Sequence, residues 1–68
     1  MFDKCVINTG LENKSFISVD DAIGFVSDEC LDDSHRFNSA MIIIRNQNTK
    51  VTYDYSDAES LLEDLLSL

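Results

Sequence analysis

Residues 40–66 read AMIIIRNQNTKVTYDYSDAESLLEDLL: two runs of β-branched and aromatic residues around a polar NQNT turn, then leucines at helical spacing. Ala40–Arg45 and Lys50–Tyr55 are predicted strands of an antiparallel hairpin, because such residues suit a pleated, half-buried surface. If Gln47 and Asn48 make a two-residue turn, Ile44 faces Val51, Ile42 faces Tyr53 and Ala40 faces Tyr55, which gives one wholly apolar face with both tyrosines in the core. The other face then pairs Arg45 with Lys50, Ile43 with Thr52 and Met41 with Asp54. Like charges at Arg45 and Lys50 are unfavourable there, so a bulged turn with shifted register is the alternative. Ser56 with Glu59 forms a capping box opening the last helix, whose buried stripe is Ala58, Leu61, Leu62, Leu65 and Leu66.

Working outward from the hairpin, residues 3–8 (DKCVIN) read as a strand and TGLEN as a turn containing Gly10, with a short extended piece at KSFI. The stretch SVDDAIGFVSDECLDD carries a helix-start signature: Ser18 as N-cap, Asp21 three residues on, and Ile17 placed to staple onto the first turn. A helix over 19–32 follows. Val19, Ile23, Val26 and Cys30, with Ala22 beside them, form its core stripe, and Gly24 lies off it. SHRFNS reads as a connection. The order β-(β)-α-β-β-α predicts a two-layer α/β (α+β) sandwich. Two helices pack on one face of a three- or four-stranded sheet, with a right-handed crossover where the first helix joins parallel strands.

Sixty-eight residues, 44% hydrophobic and without proline, make one compact domain spanning 1–68. A core this small stabilises by only about 3–5 kcal/mol, so support from a partner is expected. The cysteines, Cys5 and Cys30, are too few for a disulfide scaffold and lack CxxC spacing, which fits a reduced cytoplasmic protein. No apolar run is long enough for a signal peptide or a membrane span.

Thirteen acidic residues against five basic ones give a formal net charge of −8. Phosphate is repelled by such a chain, so direct binding to nucleic acid or anionic lipid is not expected; the natural partner is a basic protein. On a 3.6-residue wheel Asp21, Asp28 and Asp32 share the face opposite the core, with Phe25 beside them as an exposed aromatic anchor. The outer two carboxylates lie about 16 Å apart along the axis at ~1.5 Å per residue, a span comparable to several phosphate steps. In the last helix Asp57, Glu59, Glu63 and Asp64 form a second patch, and no Lys or Arg occurs among residues 51–68. Like-charge neighbours at i, i+4 weaken a helix by a few tenths of a kcal/mol, and acids in its C-terminal half oppose its dipole. The placement of Glu63 and Asp64 therefore points to a field and not to the fold. The plain alternative is that these acids only solvate exposed helix faces.

Catalytic readings are weaker. Cys5, Cys30 and His35 supply at most three zinc ligands, and Cys30 lies on the apolar stripe, where a thiol is a poor nucleophile. EF-hand spacing is absent, and two glycines make no phosphate cradle. No enzymatic activity, metal or cofactor is expected.

Residues 39–66, with their IIR strand, short polar turn, second strand and acid-rich amphipathic helix, resemble the hairpin-and-helix portion of small anti-CRISPR proteins. That resemblance implies a phage or mobile-element inhibitor that evades host defence by imitating DNA in the nucleic-acid site of a defence effector. An immunity or antitoxin-type module covering a basic partner uses the same electrostatics. A third reading is a small homo-oligomeric structural domain, and the half-apolar sheet face at Met41 and Ile43, or a free strand edge, is where a homodimer is expected.

Overall fold

The computed structural model describes residues 1–31 and 37–68. Asp32, His35 and the connection around them lie outside the described residues. The chain forms β1 (Phe2–Asn8), β2 (Asn13–Phe16), α1 (Val19–Phe25) continued by a π-helical turn (Val26–Cys30), β3 (Ser39–Asn46), β4 (Thr49–Tyr55) and α2 (Ala58–Leu66). The four strands make one sheet in the order β2-β1-β3-β4 with every neighbouring pair antiparallel. β2 and β3 therefore run parallel on either side of β1, and α1 is the crossover between them. This is the two-layer α+β sandwich expected from the element order. Among the described residues no helix is long and apolar enough to cross a membrane.

Hairpin register follows from period-two patterning and the turn. Ile44 pairs with Val51, Ile42 with Tyr53, Ala40 with Tyr55 and Arg45 with Lys50, while Gln47 and Asn48 make the turn. Gln47 has a φ of +56°, in the left-handed region that costs a side-chain-bearing residue about 1 kcal/mol. Gln47→Gly is accordingly expected to raise the unfolding free energy by about 0.5 kcal/mol, the gain at the turn being partly offset by greater unfolded-state entropy; urea midpoints of the two proteins check it. The like-charged Arg45–Lys50 pair is tolerated without a register shift in the hairpin. Instead β1 bulges between Phe2 and Lys4, and the extra residue, Asp3, places its carboxylate 3.8 Å from the Arg45 guanidinium.

The core lies between the two layers. Cys5, Ile7, Ala40 and Ile42 from one sheet face close on Ala22, Val26 and Cys30 of the first helix and on Leu61 and Leu65 of α2. Both helices thus cover the same face. Ser18 caps α1 as expected, its Oγ accepting the Asp21 N–H at 3.4 Å. α2 differs: its N-cap is Asp57, whose Oδ2 accepts the Ser60 N–H at 2.9 Å, one residue later than the expected Ser56 box. Ile17, expected as a staple, is 85% exposed. β4 is an edge strand, and α2 covers only part of it. Tyr53, expected in the core, is consequently 50% exposed, and Tyr55 is half-buried. Leu66, assigned to the buried stripe, is also exposed.

Candidate partner-binding surface

The helical layer concentrates the acids. Val19–Cys30 carries Asp20, Asp21, Asp28 and Glu29, α2 carries Glu59, Glu63 and Asp64 behind its Asp57 cap, and neither helix has a Lys or Arg. All of these carboxylates belong to exposed residues. Asp20, Asp21, Asp28, Glu59 and Glu63 form no ion pair with any described residue. Every described basic side chain sits on a strand instead. Lys4, Arg45 and Lys50 alternate with the core-facing residues and so share the sheet face that no described helix covers, along with Val6, Met41 and Ile43. Lys14 lies with its Nζ 5.9 Å from the centroid of the Phe25 ring. The molecule thus has an acidic side and a side holding most of its cations.

The predicted site residues divide into two groups. Asp21 and Asp28 lie exposed on the first helix, and Glu59 and Glu63 on α2, which packs beside it. Asp57 and Asp64 also serve the fold. Asp57 satisfies an N-terminal N–H, and Asp64 accepts a hydrogen bond from the Tyr55 hydroxyl. Burial, reinforced by this carboxylate, pushes the Tyr55 phenol above its ordinary range. Asp64 therefore has a structural reason for its place, contrary to the expectation that it serves a field alone.

Phe25 is not the exposed anchor expected from the wheel. It is half-buried against the core, with its ring 5.3 Å from that of Phe16 in β2 and tilted by 40°. The buried line runs from Ala22 of α1 through Val26 and Cys30 of the π turn, with Val19 and Ile23 only half-buried, so the core-facing stripe is rotated toward Phe25. The π turn adds to this, because i→i+5 bonding holds more residues per turn than the wheel assumes. It keeps Cys30 in the core and leaves Glu29 exposed. Asp20 and Glu29 were missed as members of the acidic side, although both are visible as charges in the sequence.

Cys5 and Cys30 are both buried in the core, and burial pushes the Cys5 thiol to about 11 and raises Cys30 as well. Nucleophilic chemistry needs a thiolate, which this environment disfavours. A shallow cleft of about 240 Å3 lies between the β1–β2 loop and the first helix, lined by Thr9, Leu11, Glu12, Lys14, Phe25 and Glu29. The layer as a whole offers hydrogen-bond acceptors and negative potential, the complement of Lys and Arg side chains. No protein-family model, characterised protein or solved structure matches the chain.

Proposed function

We propose that this protein is a non-enzymatic inhibitor whose acidic helical layer takes the place of nucleic-acid phosphates in a Lys/Arg-lined site of a host defence protein, acting in the cytoplasm. One observation carries the reading: the helices hold exposed carboxylates and no Lys or Arg of their own, while three of the four described basic side chains, Lys4, Arg45 and Lys50, lie on the opposite side and Lys14 alone sits beside Phe25. Solubility alone needs charges of mixed sign spread over the surface and gains nothing from such segregation. A one-sided field does have a use in binding. It steers a basic partner toward one face, raising the association rate more than the final affinity.

Competition with duplex DNA tests the proposal. A partner captured on the immobilised protein is expected to be released by excess duplex DNA, and to bind at least tenfold more weakly when salt rises from ~50 to ~200 mM, as phosphate-like contacts do. A partner that stays bound under excess DNA is covered elsewhere than at its nucleic-acid site, as in an antitoxin-type complex, and excludes mimicry.

A further inference from the structure

Among the described residues β4 is a free edge of the sheet, and its sequence is self-complementary in the antiparallel sense. The turn closes on Asn46 and Thr49, and a two-residue hairpin closes on a pair that exchanges both backbone hydrogen bonds. Alternation then directs the N–H and C=O groups of Lys50, Thr52 and Asp54 away from β3, where they form an open row of donors and acceptors. The opposite edge of the sheet, β2, is only four residues long. β4 is seven residues long and exposes two apolar side chains, Val51 at 43% and Tyr53 at 50%.

We propose that β4 pairs with β4 of a second copy of this chain, antiparallel about a two-fold axis at Thr52, to make a continuous eight-stranded sheet. In this register Lys50 faces Asp54 of the partner subunit, and the symmetry gives the same ion pair twice. Val51 faces Tyr53 of the partner subunit, an aromatic and β-branched pairing favoured across strands. Thr52 faces its own symmetry mate, and all seven residues of each edge are engaged. Hydrogen bonding permits slippage only in steps that keep outward groups opposite outward groups. A step in one direction sets Lys50 against Thr52, and a step in the other sets Asp54 against Thr52, so both ion pairs are lost either way. Charge complementarity therefore selects both the occupant and the register.

On the helix-covered face the seam runs beside a mostly apolar groove of about 340 Å3, where Ile42, Ile44, Tyr53, Tyr55 and Leu68 are joined by Asp64 and Ser67. Pairing at the edge closes one flank of that groove. A two-fold axis perpendicular to the sheet keeps both helical layers on the same side, which extends the acidic surface across two copies. The inference does not depend on what that surface binds.

Sedimentation at ~0.15 M salt tests it, since the mutual repulsion of two chains of charge −8 is then screened beyond about 8 Å. At high-micromolar concentration the protein is expected to show twice its 7.7 kDa chain mass. Lys50→Asp and Asp54→Lys are each expected to give monomers with unchanged far-ultraviolet circular dichroism, because each sets like charges across the seam. An equimolar mixture of the two variants is expected to recover the dimer mass, the doubly acidic edge of one meeting the doubly basic edge of the other. A monomeric wild type, a Lys50→Asp protein that remains dimeric, or a mixture that stays monomeric would each overturn the proposal.

Discussion

Reversal of Asp21, Asp28, Glu59 and Glu63 to lysine is expected to abolish binding to a basic partner, with a loss of affinity on the order of 100-fold or more. These four are chosen because they are exposed, form no ion pair with any described residue and sit on adjacent helices. Asp57 and Asp64 are left intact because one caps α2 and the other accepts from Tyr55. Each reversal adds two units of charge, so the four bring the formal −8 to zero. Like charges brought together at an interface cost several kcal/mol, and about 1.4 kcal/mol is a factor of ten. The fold is expected to survive: each exposed substitution usually changes stability by no more than about 0.5 kcal/mol in either direction, and the ~0.3–1 kcal/mol lost where Asp21 and Glu59 leave favourable helix-dipole positions is offset in part by relief of self-repulsion as the net charge falls to zero. Titration calorimetry against the captured partner, beside circular dichroism of the variant, separates binding from folding. Unchanged affinity would reduce the helical layer to a solvated surface. Phe25→Ala is a poor probe of the same question, because Phe25 packs on Phe16 and its loss disturbs the core margin.

The second large effect is on stability. Leu61→Ala is expected to leave the protein mostly unfolded at 25 °C. Leu61 is completely buried, within the cluster where α2 meets the first helix and the sheet. Removing such a side chain costs about 2–5 kcal/mol through lost transfer energy and the cavity left behind. A core of this size stabilises by only about 3–5 kcal/mol, so one substitution removes most of the margin. Leu66→Ala, on the same helix but 65% exposed, is the control and should shift stability by no more than about 0.5 kcal/mol. Thermal melts of both variants decide the matter. A Leu61→Ala protein that melts with the wild type would mean that the cluster is not the stabilising core.

Short-range physics made much of this fold legible in the linear sequence. The apolar run AMIII, the alternation in KVTYDY and two turn residues between them give the register that the hairpin adopts, and the bulged alternative that the like charges of Arg45 and Lys50 leave open does not occur. Ser18 could likewise be read as an N-cap, because capping is a bond between residues three apart. The same three-residue rule puts the cap of α2 at Ser56, with Glu59, one residue too early, because Ser56 and Asp57 are both competent caps by type. The path of the chain leaving β4 places the carboxylate of Asp57, and not the hydroxyl of Ser56, at the first open N–H groups of α2.

Exposure was decided by the tertiary structure, because it depends on what covers a residue and not on the residue's own periodicity. Tyr53 has a core-like pattern but lies on an edge strand that α2 only partly covers. Phe25 has a solvent-like wheel position but meets Phe16 from β2, a strand nine residues upstream in sequence. The division of charge was hidden for the same reason. The net charge of −8 is plain in the composition, whereas the separation of helical carboxylates from Lys4, Arg45 and Lys50 exists only once β1 and β3 are paired and both helices fall on one face of the sheet. A sequence states how much charge a protein carries; the direction of its field comes from distances between residues that are remote along the chain, and only the folded structure sets those distances.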